Sequence, residues 1–369
     1  MMKRAQIVEP LKPLLITEIS IPKPPQNGAV IKTCFSGICH SDLNQWRNYI
    51  DQGEFKKHFT DNPNYVLPIV PGHEISGVVY SLGEASAENI KVGDRVVVYP
   101  WIGCGTCGYC VNDNTPLCDR RHHGVGIGAP GGYATYVQVP DTKFVVKVPD
   151  SVPLNVACML PCSGLTTFSA VKVAKVAVEK TTLYKGKASL LVIGSGGLGL
   201  WCLQLARSLL PPTTKIVAAD INEKSLKVAS EQGFECIHWN LEMTKEEASK
   251  MAASKSYDGS YDCVIDVVNS SWTAEKAFGC SHRGSTIVMV GLFGGAFKLP
   301  LPQMVHGART LQGVLTGVLP DLRELVQLVE KKSLTPPPII YFSLDDAYEG
   351  MCRLNEGKLQ GRGIIKYDG

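Results

Sequence analysis

The sequence predicts an α/β protein with a doubly wound parallel sheet, and three observations carry that prediction. The apolar run of "KASLLVIGSGGLGLWCLQLARSLL" (187–210) breaks into Gly194-x-Gly196-x-x-Gly199 and resumes with helical spacing. A second strand-like run, "TKIVAADINEKSL", reaches Asp220. The runs "YDCVIDVV" (261–268) and "STIVMVGL" (285–292) then alternate with helical stretches such as "EKSLKVASEQG", the βαβ rhythm of a parallel sheet between roughly residues 164 and 312.

A lone GxGxxG is weak evidence. Here a strand precedes it, a helix follows it, and an acidic residue stands at the required distance, which is the context of a Rossmann dinucleotide-binding domain. Gly194, Gly196 and Gly199, with Gly197 and Leu198 inside the turn, let a pyrophosphate approach the helix N-terminus, where unsatisfied N–H groups and the helix dipole favour negative charge. Asp220 is expected to accept hydrogen bonds from the adenosine ribose hydroxyls. Its charge would repel a 2′-phosphate, so NAD is expected rather than NADP. A glycine-rich turn with no nucleotide is the alternative.

At 369 residues the chain exceeds what one hydrophobic core usually supports, so two domains are expected. Its 44% hydrophobic and 19% charged content, with 36 Gly and 23 Pro, suits a turn-rich soluble enzyme without repeats or low-complexity tracts. A formal charge of +3 with no block of like charge leaves no surface suited to nucleic acid or membrane. In "KVAKVAVEK", Lys172, Lys175 and Lys180 read as the solvated face of a helix. "MMKRAQIVEP" has no apolar run behind its basic residues, so neither a secretory signal nor an anchor is expected, and the expected location is cytoplasmic. In that reducing compartment thirteen cysteines argue against a disulfide framework, and clustered ones point to metal or catalysis.

Such a cluster is "CGTCGYCVNDNTPLC". Cys104, Cys107, Cys110 and Cys118 have the spacing C-x2-C-x2-C-x7-C, with Gly103, Gly105 and Gly108 allowing the backbone to curl. Four thiolates complete a tetrahedral zinc shell and leave no position for water or substrate, so the site holds a loop in shape. Iron–sulfur ligation is the rival reading. Three further segments, "SGICHSD" (36–42), "PGHEISG" (71–77) and "LPCSGLTTFSA" (160–170), offer Cys39, His73 and Cys162. Each alone is more often a core or surface residue; together they form a Cys2His set with an open fourth position.

With "GICHSD", "PGHEISGVV", "KVGDRVVV", the four-cysteine lobe, "GGYATY", "IGSGGLGL", "AADIN" and "GKLQGRGII" in this order, the chain resembles the medium-chain zinc-dependent alcohol dehydrogenases nearly end to end. The resemblance implies a Rossmann domain inserted into a mainly β, GroES-like catalytic domain that is split between the chain ends. Its expected parts are residues 1–163 with the lobe 103–119, residues 164–312 for the cofactor domain, and residues 313–369. It makes Cys39, His73 and Cys162 ligands of a catalytic zinc and the four lobe cysteines ligands of a structural one, two Zn2+ per chain.

The same resemblance assigns Asp42 to orienting the ligand histidine and Ser41 to taking the substrate proton. It makes Glu74 a carboxylate able to approach the metal, places His40 and Arg362 on the cofactor pyrophosphate, and sets Thr166 by the nicotinamide. Two positions depart from the pattern. Asn44 stands where several members end their proton relay with histidine, and Ser225, with Lys224 one place early, stands where a lysine often contacts the ribose. Trp101 resembles a pocket-lining aromatic of some relatives.

The stretch 44–68, with Trp46, Tyr49, Phe55, Phe59 and Tyr65, is long for the family and reads either as a surface loop with packed aromatics or as a lid over the substrate. The expected reaction is reversible hydride transfer between NAD and a primary or secondary alcohol, or its aldehyde or ketone, through an alkoxide on zinc. Its expected partner is that small molecule. Alternatives are a polyol or sugar-alcohol dehydrogenase, from which Cys162 leans away because those often carry Glu as third ligand, and a non-catalytic zinc-stabilised nucleotide-binding protein.

With six ionised ligand cysteines and two Zn2+, the formal +3 becomes about +1. "TLQGVLTG" (310–317) resembles the strand through which relatives pair, so a homodimer or homotetramer is expected. The remaining seven cysteines, Cys34, Cys158, Cys202, Cys236, Cys263, Cys280 and Cys352, are expected in the core.

Overall fold

In the computed structural model, which describes residues 1–62, 65–120, 124–332 and 334–368, two sheets organise the chain. The first is wholly parallel, with strands Ala188–Ile193, Thr214–Asp220, Glu235–His238, Tyr261–Asp266, Ser281–Met289 and Thr310–Gly313. Counted in chain order, they lie side by side as 3-2-1-4-5-6. This is the Rossmann arrangement, whose order reverses beside the first strand and opens a crevice there. Strands one and four are buried at every residue, as sheets covered by helices on both faces require. The predicted helix Glu223–Glu231 follows strand two, and Asn222 caps it by accepting from Lys224 N.

The second sheet is mainly antiparallel and holds strands Ile339–Phe342, Arg362–Lys366, Ala29–Gly37, Glu74–Leu82, Arg95–Val98 and Val145–Lys147, in that spatial order; Tyr136–Val139 pairs with the Ala29 end. Ile364 lies opposite Gly37 and Lys366 opposite Phe35, so the two chain ends share one sheet around the inserted parallel one. Gly37 ends the strand that leads to Cys39, Glu74 begins the strand that follows His73, and Arg362 begins the last strand. Pairing these strands brings candidate residues from three distant segments to one end of the sheet.

Helix Leu165–Lys185 carries the expected basic face. Lys172 pairs with Asp321 at 2.8 Å and with Glu324 at 3.4 Å, and Lys175 lies 3.6 Å from Glu179. Among the described residues no helix is long and apolar enough to cross a membrane. Of the seven cysteines outside the metal candidates, Cys158, Cys202, Cys263 and Cys280 are buried; Cys34, Cys236 and Cys352 are only half-buried, a correction to their expected core placement.

Within the described residues the 44–68 segment is more structured than a surface loop; residues 63–64 lie outside them. Helix His40–Arg47 runs into an antiparallel hairpin, Tyr49–Asp51 with Lys56–His58. The tip of this hairpin reaches the parallel-sheet domain, where Asp51 O accepts from Gly295 N at 3.3 Å. Phe59 and Tyr65 pack with ring centres 5.2 Å apart.

Candidate metal centres and cofactor cleft

Cys39, His73 and Cys162 converge, with donor atoms all within 4.8 Å of one another, and all three are buried. Cys39 occupies the N-cap of helix His40–Arg47. Cys162 lies on a widened helical turn, Leu160–Gly164, in which Gly164 N reaches back to Met159 O at 3.0 Å. Such five-residue spacing re-aims a side chain within an otherwise regular helix.

His73 Nε2 is 3.3 Å from Cys162 Sγ, and its Nδ1 is 3.3 Å from Asp42 Oδ1. One ring nitrogen therefore faces the thiols and the other a carboxylate, the arrangement that fixes tautomer and orientation in a metal-bound imidazole. Asp42 also accepts from Cys39 N at 2.8 Å and from Gly72 N at 3.0 Å, so one buried carboxylate ties together the segments carrying two of the three donors. Its Cys39 bond is the acidic half of a helix-capping arrangement.

The titration behaviour follows from this crowding. A hydrogen bond from Cys162 pulls the Cys39 thiol well below its ordinary value against burial, while the same pairing and burial push Cys162 well above it. For His73, burial favours the neutral ring, but Asp42 and Cys39 together outweigh it and raise its pKa. Two thiols sharing one proton beside an imidazole form a soft donor set. A tetrahedral zinc with bonds of about 2.3 Å to sulfur and 2.0 Å to nitrogen would place S and N about 3.5 Å apart, which suits the spacing found.

Ser41 is beside this group, its Oγ 3.9 Å from Cys39 Sγ. Thr166 lies one helical turn beyond Cys162, at the start of helix Leu165–Lys185. His40 is open to solvent yet closely surrounded by protein atoms, as a side chain lining a cleft must be; burial lowers its pKa, opposed by Cys39. Trp101 donates Nε1–H to Pro161 O at 2.9 Å, and its ring lies 5.5 Å from that of His73. Asn44 is buried, and it cannot titrate.

Glu74 stands apart from the three donors. Its oxygens accept from Arg362 Nε at 2.9 Å, from Arg362 Nη2, and from Ser163 N at 3.1 Å. Gly37 makes room for it, since a Cβ there would collide with Glu74 Oε2. Burial raises the Glu74 carboxyl and Arg362 opposes it. Arg362 also borders the glycine turn, its Nη1 lying 3.6 Å from where a Cβ on Gly197 would stand. The resemblance placed Arg362 on the pyrophosphate; the structure adds Glu74 as its partner, 288 residues away in sequence.

The cofactor turn follows the first strand of the parallel sheet. Gly194 has φ +97°, and a Cβ on Gly199 would strike Gly194 O, so both positions require glycine. Gly196 borders open space, while Gly197 and Leu198 are partly open. Asp220, at the end of the second strand, accepts from Ser195 N at 2.6 Å and Ser195 Oγ at 2.9 Å, partners the motif by itself did not suggest. Lys224 N and Ser225 N are both engaged by Asn222 Oδ1.

Cys104, Cys107, Cys110 and Cys118 form a second convergent group. Cys104 Sγ is 4.0 Å from Cys110 Sγ, and Cys107 Sγ 3.9 Å from Cys118 Sγ. A tetrahedron with metal–sulfur bonds of about 2.3 Å has edges of about 3.8 Å. Cys104 N and Cys107 N donate to Cys118 Sγ and Cys104 Sγ, each at 3.3 Å. Hydrogen bonds from the Thr106 backbone and hydroxyl pull Cys104 down to about 6, and burial pushes Cys110 up to about 12. Of the three glycines expected to curl the loop, Gly103 lies against Cys110 Sγ and Gly105 has φ +77°, whereas Gly108 faces open space and is not required for the curl.

A nucleotide-binding parallel sheet joined to a Cys2His centre and a four-cysteine lobe defines a two-domain zinc dehydrogenase. Residues 25–150 match the alcohol dehydrogenase GroES-like domain and residues 197–331 the zinc-binding dehydrogenase domain. The chain is 32% identical over 367 residues, 99% of each chain, to an NAD-dependent alcohol dehydrogenase of Saccharolobus solfataricus. It is 30% identical over 357 residues, 96% of each chain, to one of Sulfolobus acidocaldarius. The alcohol dehydrogenase of Aeropyrum pernix superposes with a TM-score of 0.85 at 25% identity, covering 99% of this chain and all of the other. The chain belongs to the medium-chain zinc-dependent alcohol dehydrogenase family.

Proposed function

We propose that this protein catalyses reversible hydride transfer between NAD and a primary or secondary alcohol, or the corresponding aldehyde or ketone, with two zinc ions per chain. The observation that carries the reading is the buried convergence of Cys39, His73 and Cys162, with Asp42 behind the imidazole. We read the lobe cysteines as holders of a closed structural zinc, and residues 1–163 with 313–369 as the catalytic domain around cofactor-binding residues 164–312.

When bound, zinc supplies Lewis acidity that makes the alcohol proton easier to remove, and NAD supplies the hydride acceptor. The chain provides the rest. Cys39, Cys162 and His73 Nε2 would hold the metal, and as two thiolates and a neutral imidazole they would balance its charge. Asp42 keeps the imidazole turned. Ser41 Oγ takes the proton from the substrate hydroxyl, and because Asn44 cannot pass it on, the proton leaves through water or another group. Glu74 and Arg362 form the boundary between metal and cofactor: Arg362 and His40 face the pyrophosphate, Thr166 borders the nicotinamide, and Asp220 receives the ribose hydroxyls. The hairpin of residues 49–58 forms a wall of the substrate cleft.

The open edge of the parallel sheet at Thr310–Gly313, paired on one side only among the described residues, supports a homodimer or homotetramer, and we expect a cytoplasmic enzyme. Elemental analysis of the purified protein, followed by a panel of primary, secondary and polyhydric alcohols with NAD, tests the reading. Two zinc ions per chain and turnover of simple alcohols are expected. A single zinc, kept by the lobe, with no turnover on the panel would refute it.

A further inference from the structure

The Asp220 carboxylate is held on both of its oxygens. Oδ2 accepts from Ser195 N at 2.6 Å and from Ser195 Oγ at 2.9 Å, and Oδ1 accepts from Asn222 N at 2.9 Å. Ser195 is fully buried within the glycine turn, whereas Asp220 is only half-buried. A hydroxyl has one proton, and Ser195 gives it to a charged acceptor in a shielded place, where such bonds are short and strong.

We propose that Ser195 is a positioning residue for cofactor choice: discrimination between NAD and NADP depends on the Ser195–Asp220 pair, not on Asp220 alone. The inference rests on the reading of Asp220 as the ribose acceptor.

A 2′-phosphate brought to the end of the second strand meets the charge of Asp220. The carboxylate can relieve that repulsion by rotating away, but rotation breaks both bonds from Ser195. A ribose hydroxyl of NAD needs no such movement, because of the roughly four lone-pair sites of an ionised carboxylate one, on Oδ1, is left after these three bonds. Removing the Ser195 hydroxyl leaves the backbone N–H bond intact and loosens the carboxylate. The loosened group receives the ribose less well and yields to a 2′-phosphate more readily. Both changes reduce the preference.

Fluorescence titration of NADH and NADPH into the zinc-loaded protein tests this without an alcohol substrate, using wild type, S195A, D220A and the double variant. The expected result is a ratio of NADPH to NADH dissociation constants about three- to tenfold lower in S195A, the scale of one net hydrogen bond. D220A should lower it further, and the double variant should match D220A. A wild-type ratio in S195A alongside a collapsed ratio in D220A overturns the inference and leaves the ribose reading standing. The same factor lost from S195A in the D220A background also overturns it, because the serine would then act elsewhere in the turn. A wild-type ratio in D220A overturns both.

Discussion

The two cysteine-rich centres are made from similar donors by opposite means. In the lobe, Cys104 and Cys118 are 14 residues apart, and one curled loop brings all four thiols together. In the other centre His73 and Cys162 are 89 residues apart, and three separate segments must be placed by the sheet, a helix N-cap and a widened helical turn. The lobe is a local object whose four thiols would fill a tetrahedral shell; the three donors of the other centre come from distant segments and would leave one position of such a shell free. A local centre should therefore govern a local part of stability, and an assembled one should govern chemistry.

The sharpest way to break this contrast is Cys162→Ala. Turnover should fall by about a thousandfold or more, since Lewis-acid stabilisation is worth several kcal/mol and about 1.4 kcal/mol is a factor of ten. Zinc content should drop by one while NADH titrates as before; undiminished turnover would remove the centre from the mechanism.

Asp42→Asn asks whether the assembled centre depends on its support. Its zinc should be retained about 10- to 100-fold more weakly in chelator dialysis, with the lobe zinc unaffected. Unchanged retention would reduce Asp42 to a helix cap. Cys107→Ala, by contrast, should lower Tm by about 5 °C or more, through loss of a folding zinc, while keeping turnover within about tenfold of wild type. Lost turnover at an unchanged Tm would make the lobe catalytic and erase the distinction.

The smallest effect is expected at a control pair remote from both centres. His282 Nε2 lies 2.8 Å from Asp262 Oδ1, near the start of the fourth and fifth parallel strands, opposite the cofactor turn. The bond to Asp262 raises the His282 pKa, so the histidine's contribution is complete below its ordinary value of 6.5 and is lost as pH rises through the folded value. Burial pushes Asp262 up, but bonds from His282 and Ser189 outweigh it and hold it below 3.8, so its contribution is lost only as acid protonates it. His282→Asn should therefore cost more stability at about pH 5.5 than at about pH 8.5, by about 1 kcal/mol or less, with zinc content unchanged. A pH-independent difference in denaturation midpoints would show that the pair carries no charge-dependent stability.

Much of this was legible before the structure. Apolar runs marked the parallel strands and helical spacing the segments between them, and all four strands found in this way are present; the register between them was not marked. The lobe was legible because its donors are close in sequence. The Cys2His centre was legible only as a set, since each donor alone reads as an ordinary core or surface residue; the order of motifs, which resembles a family, then supported taking the three together. Neither spacing nor resemblance indicated that Gly37 yields its side-chain space to Glu74, that Ser195 bonds Asp220, or that the 49–58 hairpin touches Gly295.

By itself, then, the sequence determined what depends on neighbours along the chain: the helix-and-strand rhythm, the glycine turn and the four-thiol loop. These are dictated by backbone periodicity and by how far a short segment can bend. The tertiary structure alone decided what depends on packing. It put the last strand beside Ala29–Gly37, joined Arg362 to Glu74, and set Asp42 between Cys39 and His73. Burying apolar surface drives strands together without regard to their separation in sequence, and the polar groups carried along with them are satisfied by whichever partners that packing supplies.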